Sequence, residues 1–334
     1  KCRFNEMGLR QARLNYNGTC LATVATRALT NTSGQITLAF RDTTSGNEIS
    51  KISLSDVAAM EFVPGRDSLL TGSILGDVRA WLPGQERALW EMRPHSTRVV
   101  AIVYSLAGIG GADGACRASV LYEDGLVWVC DPETGSEHCR ITCPVNRAGA
   151  IALSPGGTLA AIGAGQRIYL YDVETVRLLR CLEGHEDDLL YLTFTDDGEL
   201  LYSVTASDMK LWKVASTGAI RQLNATGVSS VSTASGQHSL RTITKSGQVV
   251  DWNSGFVQVE GTSRQVKPNC TDSLLSPSGR QALLQTGGGL VLYDMERGET
   301  LAEFPTYNFS SSPVAFSPRG RWVALLESDV FSQT

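Results

Sequence analysis

Seven short β-forming runs end just before a turn, and six of the seven end on an aromatic residue. They are TLAF (to Phe40), VRAW (to Trp81), VWVC (to Cys130), IYLY (to Tyr171), MKLW (to Trp212), QVVDW (to Trp252) and LVLY (to Tyr293). The steps between these end points are 41, 49, 41, 41, 40 and 41 residues. A beat this long marks a supersecondary unit that cannot bury its faces alone and stacks on copies of itself. The one long step has a location: LAGIGGADGACR, residues 106–117, is a Gly/Ala-rich insertion between two strands of the third unit. The glycines of the hairpin turns keep the same beat. Gly157, Gly198, Gly236, Gly279 and Gly320 are spaced 41, 38, 43 and 41 apart.

The fifth unit displays the parts. LLYLTF is an inner strand, TDDG a turn, ELLYSVTA a second strand, MKLWKV a third, ASTG a second turn and AIRQL an outer strand. Gly198 supplies the positive φ that such a turn favours. Matching outer turns read TTSG (Thr43 to Gly46), PETG (Pro132 to Gly135) and MERG (Met295 to Gly298). Four strands per unit at a period near 41 predict an all-β fold of β-propeller blades.

On these residues the chain resembles the WD40-repeat family. The stretch Glu183 to Val214 is similar to one nearly complete repeat, with a Gly-His pair (Gly184, His185), a turn aspartate (Asp208) and a third-strand tryptophan (Trp212). The resemblance implies a buried hydrogen-bond relay in that blade through His185, Ser203, Asp208 and Trp212. It covers residues 11 to 328. Elsewhere the repeats are degenerate: no other has Gly-His, and literal Trp-Asp never occurs, Tyr171-Asp172 and Tyr293-Asp294 coming closest.

The expected blades run approximately over residues 10–55, 56–94, 97–144, 148–183, 187–224, 227–266 and 270–306, with an eighth over 312–334. The eighth lacks an outer strand, and an open sheet edge invites aggregation. Residues Cys2 to Met7 are expected to supply it, closing one eight-bladed propeller. The alternative is seven blades followed by the start of a second propeller.

Composition bounds the rest. Of 334 residues 42% are hydrophobic and 19% charged, with 33 glycines, which suits a turn-rich folded chain. A net charge of −5 argues against a chain-wide nucleic-acid surface. No apolar run reaches the length of a membrane span. Eight cysteines, mostly inside apolar runs, favour an intracellular setting, the cytoplasm or nucleus. Five Asn-x-Ser/Thr sequons, at Asn17, Asn31, Asn224, Asn269 and Asn308, keep a secreted or lumenal one open. The chain opens on Lys1 and is read as part of a longer protein.

Few residues suggest site chemistry. His185 with Glu186, Asp187 and Asp188 is read as a structural histidine beside a solvated acidic loop, because neighbouring residues rarely converge on one ion. Cys139 and Cys143 share a strand face ~13 Å apart, too far to chelate zinc unaided through ~2.3 Å bonds. A Cys130–Cys139 cross-strand disulfide stays open. GIGGADG lacks the Lys-Ser/Thr of a P-loop and precedes no helix. No catalytic residue, cofactor or metal site is therefore expected.

The loops leading into each inner strand and those before each third strand share one rim. Candidate partner-binding residues there are Arg93, His95 and Arg98; Glu186, Asp187 and Asp188; Arg264 and Lys267; and Tyr307. Trp90, on a predicted outer strand, is the candidate exposed anchor. The expected function is a non-catalytic protein-interaction scaffold, one propeller of a larger protein or multi-subunit complex. The alternatives are an RNA-binding or ribonucleoprotein-assembly subunit, and a propeller enzyme with a central-channel site. The inner strands carry few acids, histidines or metal ligands, Glu61 standing out.

Overall fold

A computed structural model describes residues 9–27, 35–105, 116–145, 147–215, 219–224, 228–233, 240–244, 246–252, 264–266, 270–305, 315–317 and 323–324. They form seven four-stranded antiparallel sheets, over residues 9–54, 59–92, 99–142, 150–182, 191–224, 228–265 and 270–305, and a two-stranded sheet of Ala315–Phe316 with Val323–Ala324. In every four-stranded sheet the strands pair in chain order. The hairpin turns at Gly157, Gly198 and Gly279 have φ of 67°, 71° and 66°, as the glycine beat predicts.

Burial follows position in the sheet. Middle strands are covered on both faces, so Ala118–Tyr122 is buried throughout. The inner strand Tyr191–Phe194 alternates, with Leu192 and Phe194 buried and Tyr191 exposed, and outer strands such as Arg177–Leu182 are mostly open. Neighbouring sheets share their cores. Phe40 of the first meets Phe62 of the second edge to face, centroids 6.4 Å apart. Tyr122, Trp128 and Cys130 of the third pack with Leu70 and Val78 of the second. Trp212 and Leu201 of the fifth pack with Ile168, Leu170 and Leu182 of the fourth. Each fully buried large side chain contributes about 1.5–3 kcal/mol, spread around the sheets. The two-stranded sheet lies against the inner strand Leu9–Leu14 of the first sheet.

Cysteine placement settles the disulfide question. Cys130 packs toward the second sheet, whereas Cys139 and Cys143 pack toward the fourth, so Cys130 and Cys139 face opposite sides of one sheet. Register agrees: Cys139 stands opposite Val129, and Cys130 opposite Glu137. The seven cysteines at positions 20, 116, 130, 139, 143, 181 and 270 are free.

Two local devices recur. After the third strand, Asp42, Asp131, Asp172 and Asp294 each accept the backbone N–H of the residue three positions on, at 2.7, 2.9, 2.7 and 2.8 Å. Hydrogen bonds from Thr44 and Ser45 hold the Asp42 carboxyl down at about 2. The residue after this turn has positive φ: Gly46 (75°), Gly135 (70°), Gly298 (73°) and, in the fourth sheet, Val176 (56°). The second device is a bulge in the outer strand, where an extra residue is inserted at Ile49, His138, Leu179, Ile220 and Leu301.

Candidate functional site

The fifth sheet holds the interior site. The loop before its inner strand brings His185 over the sheet, the second strand carries Ser203, and the third carries Asp208 and Trp212. Trp212 Nε1 donates to Ser203 Oγ at 2.7 Å, and His185 Nε2 lies 2.6 Å from the same oxygen. His185 Nδ1 lies 2.5 Å from Asp208 Oδ1. A neutral imidazole protonated at Nδ1 satisfies every partner: tryptophan to serine, serine to histidine, histidine to aspartate. Thr205 Oγ1 also donates to Asp208 Oδ1 at 2.6 Å, and Lys210 Nζ lies 3.0 Å from Oδ2 and bonds Gly184 O. Burial pushes the His185 pKa down, against the pull of Asp208. Burial alone would raise Asp208, but bonds from Thr205, Lys210 and His185 hold it below the usual carboxylate value.

Serine, histidine and aspartate thus stand in the bonding order of a nucleophile triad. Burial decides against that chemistry. Ser203 is fully buried, and its oxygen is engaged by the tryptophan N–H, so no substrate carbonyl can reach it. The arrangement is a clamp between loop and sheet. Thr205 and Lys210 belong to it and escaped the sequence reading, although both sit within three residues of Asp208.

Two residues taken as surface candidates are tied into the structure. His95 sits four residues before Val99, as His185 sits four before Leu189. Its Nε2 lies 2.5 Å from Asp124 Oδ2, Thr97 bonds the other carboxylate oxygen at 3.2 Å, and its ring meets Tyr122 edge to face at 5.3 Å. His95 is thus the loop clamp of the third sheet, with Pro94 where the fifth has glycine. Trp90 is half-buried rather than exposed: its ring packs on Trp128 at 6.3 Å, and its N–H donates to Pro132 O at 3.2 Å.

The rest of the rim is more open. Arg93 and Arg98 are exposed, Arg93 lying 3.7 Å from Asp77. Glu186 and Asp188 are exposed, while Asp187 is half-buried and accepts from Ser207. Arg264 belongs to the outer strand Arg264–Gln265, paired with Val249, rather than to a rim loop. Lys267 and Tyr307 lie outside the described residues. Apolar members that the sequence reading missed are Ile74 (52% exposed), Leu190 (62%) and Tyr191 (47%).

Main-chain bonds stitch this rim together. Val99 N donates to Ser73 O at 3.0 Å, Ala148 N to Glu123 O at 2.9 Å, and Leu189 N to Gly165 O at 2.9 Å. Each joins the start of one inner strand to the preceding sheet. Below the rim, Arg13 of the first inner strand pairs with Glu61 of the second at 2.9 Å, and Tyr104 donates to Glu61 O at 3.1 Å. Among the described residues, no group of three His, Cys, Asp or Glu is placed to hold a metal ion, and no helix is long and apolar enough to cross a membrane.

Repeated four-stranded sheets with a His–Ser–Asp–Trp clamp define a β-propeller of the WD40 type. The chain is similar to Chaetomium thermophilum Sqt1, in its structure bound to the N-terminus of ribosomal protein L10, with a TM-score of 0.73 and 15% identity over 96% of this chain and 94% of that one. It is 25% identical over 156 residues to Protein SPA1-RELATED 4 of Arabidopsis thaliana, covering 45% of this chain and 18% of that protein. It is 24% identical over 191 residues to the human Intraflagellar transport protein 122 homolog, covering 56% of this chain and 14% of that protein. The chain therefore matches less than a fifth of the length of either relative. No protein-family model matches the sequence.

Proposed function

We propose that this chain is a non-catalytic docking platform, one propeller of a larger protein or multi-subunit complex, which holds protein segments on its loop rim. One observation carries the reading: the serine, histidine and aspartate of the fifth sheet are buried and fully hydrogen-bonded, whereas Arg98, Asp188 and Leu190 stand exposed on a main-chain frame. The Sqt1 structure, in which a similar fold holds the N-terminus of another protein, supports it by analogy of fold. The reading extends to one ring over residues 1–334, with the eight segments given above as blades and residues 1–8 completing the last. The position of the two-stranded sheet beside the first inner strand supports that closure. Buried free cysteines support an intracellular setting. Affinity capture from the native source, with cross-linking mass spectrometry, tests the function. Cross-links from partner proteins are expected on the rim residues; partners cross-linked only to outer strands would overturn it.

A further inference from the structure

We propose that the rim over the third, fourth and fifth sheets receives an extended peptide that presents two acidic residues and then a basic one at equal spacing, with a large apolar residue beside the base. The proposal rests on the docking reading and names the chemistry of its partner.

The equivalence set by the main-chain stitches carries it. Val99, Ala148 and Leu189 make the same inter-sheet bond, so the residues just before them, Arg98, Arg147 and Asp188, occupy the same place on successive sheets. All three are exposed. Neither Arg98 nor Arg147 has an ion pair among the described residues, although Glu123 is bonded through its backbone to Arg98 and Ala148. Two uncompensated guanidinium groups, each able to grip a carboxylate through paired N–H donors, thus lead round the rim to one carboxylate.

Beside that carboxylate stand Leu190 and Tyr191. Leu190, at 62%, is the most exposed large apolar side chain among the described residues. Between Arg147 and Leu190 two exposed glycines, Gly149 and Gly165, put no side chain on the floor, and the Asp188 carboxylate lies over Gly165, its Oδ1 3.8 Å from where a methyl group there would stand. A peptide backbone can therefore lie close to the sheet ends. Packed sheets stand ~10 Å apart and an extended chain rises ~3.3 Å per residue, so roughly three peptide residues cover each sheet. Acids then meet Arg98 and Arg147, a base about three residues further on meets Asp188, and an apolar side chain next to that base meets Leu190 and Tyr191. RNA fits less well, because Asp188 and Glu186 at one end of the site repel phosphate.

The test uses the whole chain and two fluorescent peptides, Glu-Ser-Ser-Glu-Ser-Ser-Lys-Ser-Leu and its charge reversal Lys-Ser-Ser-Lys-Ser-Ser-Glu-Ser-Leu, followed by anisotropy at low ionic strength. The first is expected to bind about ten-fold more tightly, with Arg147→Glu abolishing the preference and Leu190→Ser weakening the first peptide about five-fold. Both positions are exposed, and circular dichroism checks that the variants fold. Equal binding of the two peptides, absence of binding, a preference untouched by Arg147→Glu, or tighter binding of a polyuridine probe would each overturn it. If native partners cross-link to the rim while the peptides fail, the charge order is wrong and the docking reading stands. If partners cross-link elsewhere, both fall.

Discussion

Val176 is the described non-glycine residue with a positive φ, in the turn where three sibling sheets have glycine. A left-handed conformation costs a side chain about 1–2 kcal/mol, and a β-branched one suffers most. Glycine relieves that strain at an entropic cost of about 0.5–1 kcal/mol. Val176→Gly is therefore expected to stabilise the protein by about 0.5–1 kcal/mol, read as a higher urea midpoint. The clamp predicts the opposite sign. Ser203→Ala strands both the Trp212 N–H and His185 Nε2 in the interior and should cost about 2–4 kcal/mol. Its pH dependence has one direction. Folding depresses the His185 pKa, so the unfolded chain takes up a proton first as pH falls through 6.5, and stability declines. The depressed Asp208 contributes stability above its ordinary 3.8, which is lost as pH falls through its lower folded value. His185→Gln should remove the first decline in a series of midpoints against pH; an unchanged profile would count against the clamp.

At the scale of strands, the outer edges pose the main physical problem, since each four-stranded sheet presents one unpaired edge to solvent. The bulges at Ile49, His138, Leu179 and Leu301 twist those edges and interrupt their hydrogen-bonding rhythm, a known defence against edge-to-edge pairing. Deleting Leu179 should straighten the fourth edge and promote self-association, detected as faster-sedimenting species. Leu179→Thr, which keeps the bulge, should sediment as the parent does. Strands and turns were legible in the sequence because alternation and turn glycines act locally. Trp81, Tyr171 and Trp212 close third strands in register with one another, paired with Leu69, Ala160 and Leu201, whereas in the first sheet Arg41 holds that place and Phe40 falls one position short. What lies between sheets was not legible. His95 looked like a surface residue because Pro94 replaces glycine and its carboxylate lies 29 positions away. Trp90 looked free because the Pro132 carbonyl that anchors it is 42 positions away. Arg147 and Leu190 acquire meaning only once main-chain bonds align successive loops.

Across the whole molecule, neighbouring sheets share side chains, so damage at one junction should be felt by all. Gly76 makes the case. Its φ is 91°, and a methyl group there would lie 2.1 Å from His95 O, backbone of the next sheet. Gly65 has φ of 73° with open space around it. Gly65→Ala should cost about 1 kcal/mol, the conformational penalty alone, and Gly76→Ala distinctly more. Each should shift a single unfolding transition with an unchanged denaturant slope; a second transition would mean that the sheets melt separately. The fold was legible at this scale through its period, which reports stacking directly, whereas the charge order of the rim arises from positions that share no motif. The stitches from Val99, Ala148 and Leu189 run through peptide groups and ignore what the side chains are. Recognition and architecture are thereby uncoupled: a randomised rim should yield mostly well-folded clones, which makes this wheel a ready chassis for selecting new binders.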